Sequence, residues 1–581
     1  VTFNKANAIV QEDANPVTYE GFRASVAHEI NDNWDALATV ATQTIEADGV
    51  FFVDPTKGDL EIQRYTNDEI EDEFDNISFT LKGSIGDLEV LYTGAYTDRT
   101  TDQDVDYTDY LFVGQYLPYY ICDYYVTYTS FAPGNVPTGT CGAPNLLVDS
   151  TTNTEVTTHE FRINAPISDN ASLTAGVFFS DLELTELNLF TYPNSVGNDI
   201  TYSPNYALTD ISSTGAINNG AAGWFSAGPY SEPVIFFNDI KRTDKQQGVF
   251  GELSVDMTET SELTVGIRYY DIEVDFEGSA NSSFGNGFGN TDQQRFGSNL
   301  SAQYAPGNAN GYPDKAKSDG SIGKITYSWN PSEDVMYYVT WSEGFRPGLL
   351  NRPVGSSNAA GTYTVKPEVK SDEVTNYEFG WKAILADGRL RFNGSAFMVD
   401  VTGLQTTVFD PSIVNLFFSD NAADAEISGV EGDFVYYPDM DGWVLSGAFS
   451  ILDTELTKSL VPTDDITEGA DLAFAPGMQG NLSARKEWGA SSGNTGHFQA
   501  QLVWSDDSYS DVMEPNKALQ DSYSFINVRA GISNDNWVAE AYIDNITDER
   551  AEIANTFVFD RQRLGIIRPT TVGLRFKRFF N

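Results

Sequence analysis

Hydrophobic and polar positions alternate with a period of two along much of this chain, and the alternating stretches come in pairs. In Tyr337, Val339 and Trp341, and again in Tyr377, Phe379, Trp381 and Ala383, every second residue is apolar, while Asn376, Glu378, Gly380 and Lys382 take the intervening positions. The closing stretch repeats this in Val572, Leu574, Phe576 and Phe580. Successive side chains of a strand point to opposite faces, so the pattern predicts strands with one greasy face and one wet face. A half-buried strand of a soluble sheet has the same period, and it is the connections that separate the two cases.

Within each pair the connection is short: Asn31 to Asn33, Ser84 to Asp87, Ser168 to Asn170, Thr258 to Thr260, Asn330 to Asp334, Ala386 to Gly388, Asp439 to Gly442, Trp488 to Thr495 and Asn534 to Asn536. These are mostly Asn, Asp, Gly, Ser and Pro, which reverse an antiparallel pair in few residues through local hydrogen bonds or positive φ. Between pairs lie long polar segments, at 47–69, 101–154, 188–240, 276–315, 347–369, 402–425, 456–477, 507–519 and 548–567. A soluble sandwich has no reason to sort its connections by length. A barrel threaded through a membrane does, with long loops outside and short turns in the periplasm.

The predicted class is therefore all-β, a transmembrane antiparallel β-barrel. Its strands fall at 20–30, 34–46, 70–83, 87–100, 155–167, 171–187, 241–257, 261–275, 316–329, 335–346, 370–385, 389–401, 426–438, 443–455, 478–487, 496–506, 520–533, 537–547 and 568–580. That makes nineteen, whereas single-chain bacterial barrels close on an even number. At least one strand is expected before Val1, and Val1 to Gln11 carries neither the basic start nor the apolar core of a signal peptide.

Composition fits this reading. With 581 residues, 13% aromatic, 41% hydrophobic and a mean hydropathy of -0.31, the chain has no run of 18 apolar residues and is too polar for a helical membrane protein. No Pro-rich or Gly/Ser linker divides it, so residues 1–581 read as one barrel domain. Charge removes one function class: 34 Lys and Arg against 84 Asp and Glu give -50, which repels nucleic acid. The acid is dense around Asp98, Asp102, Asp104, Asp106 and Asp109 and reads as a solvated surface, with focusing of cations at the mouth as the alternative. Asp102, Asp104 and Asp106 have the spacing that opens a calcium loop, but Tyr107 stands where the turn glycine belongs and no glutamate closes the shell, so no metal is expected.

Cys122 and Cys141 share one long segment, and passage through an oxidising periplasm predicts a disulfide between them. The same segment is rich in tyrosine. Tyr107, Tyr110, Tyr116, Tyr119 and Tyr120 are candidates for ligand contact, because a phenol pairs a flat apolar face with a polar tip; packing of the loop on itself is the simpler alternative. Catalysis is poorly supplied. The only histidines are His28, His159 and His497, no G-x-S-x-G or H-E-x-x-H run exists, and the Gly285, Gly287, Gly289 stretch opens no helix, so neither enzyme activity nor a cofactor is expected.

Several runs resemble the C-terminal barrel portion of TonB-dependent outer-membrane receptors. They are Trp341-Ser342-Glu343-Gly344-Phe345-Arg346-Pro347, Lys366-Pro367-Glu368 leading into Asn376-Tyr377-Glu378-Phe379-Gly380-Trp381-Lys382, and Gly429-Val430-Glu431-Gly432. Tyr542-Ile543-Asp544-Asn545-Ile546-Thr547-Asp548 and Arg568-Pro569-Thr570-Thr571-Val572-Gly573-Leu574-Arg575-Phe576 look like that family's last two strands. The matches are strongest over 335–581. The resemblance implies a barrel of 22 strands, of which about nineteen are present. It also implies an N-terminal plug that has no counterpart before residue 20, and partners in outer-membrane lipid and an inner-membrane TonB complex acting through that plug. The expected cargo is a scarce small solute, with ferric siderophore ahead of cobalamin and carbohydrate. Arg346 at the outer rim is a candidate for an anionic ligand, or else the cation of a structural ion pair. A passive substrate-selective porin is the alternative function, and an outer-membrane hydrolase a more distant one.

Overall fold

The structure is a computed structural model that describes residues 2–3, 11–108, 140–141, 146–191, 234–282, 297–408, 417–463, 465–514, 517–556 and 563–579. Nineteen long strands form one antiparallel sheet, the wall of a β-barrel. In order they are Val17–Asn31, Trp34–Asp48, Glu69–Ile85, Leu88–Asp106, Leu147–Ser168, Ala171–Thr191, Val234–Thr258, Ser261–Ser282, Ala316–Ser332, Val335–Arg346, Asp372–Leu385, Leu390–Val408, Phe418–Tyr436, Trp443–Ser459, Met478–Gly489, Thr495–Ser505, Tyr523–Asn534, Trp537–Asp544 and Thr571–Arg578. Each pairs with the next, so the topology is a plain up-and-down meander. At the long-loop end the chain curls round to meet itself. Phe52–Val53 from the first long loop pairs with Arg563–Ile566 from the last, which also pairs with Glu552–Thr556.

Register places the predicted greasy positions side by side. Leu263, Tyr327, Val339, Phe379, Ala396, Val430, Ile451 and Met478 are successive cross-strand partners over eight strands. Tyr327, Val339, Phe379 and Ile451 are each 45–54% exposed. Water would not tolerate so continuous an exposed apolar band; a lipid bilayer requires it. The opposite face is wet. Thr326 and Thr340 lie across from each other with hydroxyls 2.9 Å apart, and Tyr338 donates to Glu378 at 2.5 Å. Two strand glycines follow from ring packing: Tyr338 lies across Gly380 and Trp381 across Gly394, so that a Cβ at either position would fall within 2.4 Å of ring carbon.

The buried apolar core sits at the long-loop end, not along the axis. One cluster joins Tyr363, Val365, Val401, Val408, Phe418, Leu456, Val461, Ile466 and Met513. A second joins Tyr270, Ile272, Val274, Leu300, Tyr304 and Leu350. The turns fall where the sequence puts them, and the hairpin at Ala386, Asp387 and Gly388 has positive φ at all three residues.

In the fourth to eighth strands the ends toward the long loops run further than the polarity pattern predicts, whereas those expected at 520–533, 537–547 and 568–580 stop short there, as Tyr523–Asn534, Trp537–Asp544 and Thr571–Arg578. The pair expected at 87–100 and 155–167 is Leu88–Asp106 and Leu147–Ser168, and the pair expected at 171–187 and 241–257 extends to Thr191 and back to Val234. Above the bilayer both faces meet water, so alternation stops while the hydrogen-bond ladder continues.

Two lysine substitutions test the assignment of faces. Val339→Lys puts an ammonium on the lipid side and should destabilise the barrel by about 2–4 kcal/mol if it lies near the bilayer midplane. Ser328→Lys, on the wet face, should stay within about 0.5 kcal/mol of the parent. Denaturant unfolding from phospholipid vesicles reads both; equal costs would remove the distinction between the faces.

Candidate functional site: lumen wall and long-loop mouth

The wet face lines the lumen, and its chemistry follows from the same period of two. Lys324 pairs with Glu252 at 2.7 Å, Asn393 donates to Asp433 at 3.1 Å, Arg485 reaches Glu487 at 2.8 Å and Gln499 donates to Ser483 at 2.9 Å. Tyr338, Glu378, Lys382, Asn393, Glu431 and Asp433 border a cleft of about 370 Å³ on this wall. A surface of exchangeable hydrogen-bonding groups suits a hydrated solute or a polar protein segment seated inside. Glu378 and Glu431 stood in the resemblance motifs without a role, and their parity within the strands was the signal that placed them in the lumen.

At the mouth, loops are held by buried polar hubs. Asn351, 3% exposed, donates from Nδ2 to the carbonyls of Lys366 at 2.9 Å and Ser419 at 2.8 Å, and its own carbonyl accepts from Tyr304 Oη, which also donates to Pro367 O at 3.0 Å. Asp420, almost fully buried, accepts from Tyr363 Oη and from Lys366 Nζ at 3.1 Å. Burial, with the Asp420 carboxylate next in effect, pushes the Tyr363 phenol well above its usual range. These hubs tie the loops into a collar, since breaking any one of them leaves a buried polar group unsatisfied.

A clamp joins the two ends of the meander. Arg550 holds Asp59 of the first long loop through Nε at 2.9 Å and Nη2 at 3.0 Å, and holds Asp548 through Nη1 at 2.8 Å. The Asn545 side chain supports it: at φ 51 this residue donates to the carbonyls of Glu549 at 2.9 Å and Arg568 at 3.1 Å. The motif from Tyr542 to Asp548 thus has a physical role as the corner that carries the clamp. Arg550 beside it, then the backbone amide of Thr570, lower the Asp548 carboxyl to about 2, and Arg550 likewise lowers Asp59.

The acid concentrates on the exterior of the protruding strands, away from the lumen. Glu69 faces Asp104, Glu71 faces Asp102, Asp75 faces Asp98, and Asp104 faces Asp149 in direct cross-strand register. Burial, then Asp104 and Asp102, raise the Asp149 carboxyl. Of the cluster named in the sequence, Asp98, Asp102 and Asp104 are exposed, Asp106 is buried and Asp109 lies outside the described residues. Among the described residues no group of His, Cys, Asp and Glu is arranged to hold a metal. Asp106 instead accepts amide hydrogens from Tyr65, Thr66 and Thr108, tying the first long loop to its strand.

Of the predicted site residues, Tyr107 packs edge-on against Phe190 at 5.4 Å, and burial raises its phenol. Tyr110, Tyr116, Tyr119, Tyr120 and Cys122 lie outside the described residues, and with Cys122 the bridge to Cys141. Arg346 is engaged by Asp372: Nε donates at 2.7 Å, the backbone amide at 3.0 Å, and Nη2 donates to Gln405 O at 3.0 Å. That is the ion-pair alternative for this residue. The histidines do not assemble. His28 lies on the first strand, His159 is 3.0 Å from Tyr92 Oη on the exterior, and His497 meets Glu540 at 3.0 Å in the lumen wall.

The model of the family described as TonB dependent receptor-like, beta-barrel matches residues 31–546. A comparison with curated protein sequences returned no match. Among solved structures, the ferric yersiniabactin uptake receptor FyuA of Yersinia pestis is similar at 14% identity with a TM-score of 0.66, covering 97% of this chain and 71% of that one. The siderophore receptor PiuA of Acinetobacter baumannii is similar at 15% identity and a TM-score of 0.62, over 97% and 74%. The ferric citrate transporter FecA in unliganded form is similar at 11% identity and a TM-score of 0.63, over 97% and 70%.

The clamp makes a pH prediction. A carboxyl lowered in the folded state contributes stability above its unfolded value, about 4, and that contribution is lost as pH falls through about 2. Hydrogen exchange at 52–53 and 563–566, corrected for intrinsic rate, should show constant protection from neutral pH down to about 5 and a fall below about 4. Arg550→Ala should lower that protection at neutral pH and remove its fall below about 4; protection and pH dependence unchanged by it would dismiss the clamp.

Proposed function

The chain belongs to the TonB-dependent receptor β-barrel family, transport receptors of the Gram-negative outer membrane and not enzymes, and from that premise we propose that it imports a scarce solute, foremost a ferric siderophore, to the periplasm with TonB-coupled energy. The observation that carries the reading is the pairing of a largely polar lumen wall with a loop collar tied by buried polar hubs at one mouth. The collar positions capture groups, and the wall lets a hydrated chelate or a plug slide past exchangeable hydrogen bonds. Coupling to TonB would run through a plug seated on that wall, with Glu378, Glu431 and Asp433 offering acceptors to its donors.

The solute assignment rests on chemistry and on likeness. FyuA, PiuA and FecA are described as receptors or transporters of ferric yersiniabactin, of siderophore and of ferric citrate. Tyr107, Tyr110, Tyr116, Tyr119 and Tyr120 are the proposed contacts, because a ferric chelate presents flat apolar edges beside polar ligand atoms.

Deletion of the gene, with growth and labelled-chelate uptake measured on a panel of defined iron sources, tests the proposal. Uptake of at least one ferric siderophore should be lost, and a protonophore should abolish it in the parent strain. Unchanged uptake across the panel would remove siderophore as the cargo. Uptake insensitive to the protonophore would mark a passive channel.

A further inference from the structure

On the exterior of the barrel, at the height where the apolar band ends, the wall carries a shallow cleft of about 410 Å³ lined by His159, Phe179, Asp181, Lys245, Gln247 and Glu273 among others. Register shows what changes there. Phe161, Val177, Val249 and Tyr269 are cross-strand neighbours and wholly apolar or aromatic. Two residues further toward the long loops the neighbours are His159, Phe179, Gln247 and Asp271, and two further still Thr157, Asp181, Lys245, Glu273 and Lys317. Two strand residues advance about 7 Å, close to the depth of one headgroup layer. The cleft therefore spans the step from acyl chain to headgroup in the outer leaflet.

Its chemistry narrows the occupant. Lys245 already faces Asp181 at 3.4 Å, and Lys317 and Lys315 both hold Glu273, at 2.8 and 2.9 Å. A phosphate entering here would compete with carboxylates for every lysine and would face Asp181, Asp271 and Glu273 as like charges. A hydroxyl-rich head meets no such penalty, because carboxylates and the Gln247 oxygen accept while ammonium and amide groups donate. The floor suits a sugar ring's C–H face: Phe179 is 48% exposed, and the ring of Tyr92 stacks beside His159 with centroids 6.2 Å apart. We infer that this cleft binds a lipid of the surrounding outer leaflet by its headgroup, and that the head it selects is a phosphate-free sugar.

The full receptor reconstituted in phosphatidylcholine nanodiscs, with equal small fractions of a glucosyl diacylglycerol and of phosphatidylglycerol, tests this by native mass spectrometry of the lipids retained after gentle extraction. The glucosyl lipid should be retained about tenfold over phosphatidylglycerol. Phe179→Ala and Asp181→Ala should each abolish the preference while the folded, heat-modifiable band on gels persists. Should Phe179→Ala fail to fold, Gln247→Ala reads the same contact. Preference for phosphatidylglycerol, equal retention of the two lipids, or a glucosyl preference unchanged in the folded variants would each overturn the assignment.

Discussion

Inside a bilayer no water is available to an unpaired amide or carbonyl, and each such group left alone costs several kcal/mol. The membrane-spanning wall of this molecule follows from that constraint. It requires strands to pair with their neighbours where they cross the bilayer, and every strand between Val17–Asn31 and Thr571–Arg578 is paired on both edges. It also sets the side-chain period, because a strand paired on both edges has only its two faces left to vary. One face takes Val339, Phe379 and Ile451 to lipid; the other takes Thr340, Glu378 and Ser450 to the lumen.

The two ends of the barrel then diverge in character. At the short-turn end there is nothing to build beyond reversal, and hairpins such as Ala386 to Gly388 do only that. At the other end the strands leave the membrane still hydrogen-bonded, and their side chains are released from the lipid rule. There the chain accumulates carboxylates outside, an apolar collar around Phe418 and Leu456, and polar hubs at Asn351 and Asp420. The Asp59–Arg550–Asp548 clamp and the small sheet beside it bring the first and last loops together at that rim. A receptor needs such a division: a lumen that releases what it touches and a mouth that holds its shape.

The sequence was most readable where lipid imposed alternation. Tyr337 to Trp341 and Tyr377 to Ala383 revealed both the strand and its orientation, because each apolar position had one destination. It was less readable above the bilayer, where Asp102 to Asp106 continue a strand with no change of polarity to mark it. The hubs were not legible, since Asn351 draws its role from partners 15 or more residues away and Arg550 closes the clamp on Asp59, 491 residues away. Arg346 illustrates a middle case. Its position at the rim was clear from the chain, but its ion pair depended on Asp372 lying opposite, which only register reveals.

The most direct test is accessibility scanned one residue at a time. Nitroxide labels placed singly along 335–346 and 372–385 of the receptor in vesicles, with collision rates measured against oxygen and against a water-soluble nickel chelate, should give two curves of period two in opposite phase. Oxygen should dominate at 337, 339, 377 and 379, and the nickel chelate at 338, 340, 378 and 380. Curves in phase, or without that period, would contradict a wall with lipid on one side and water on the other.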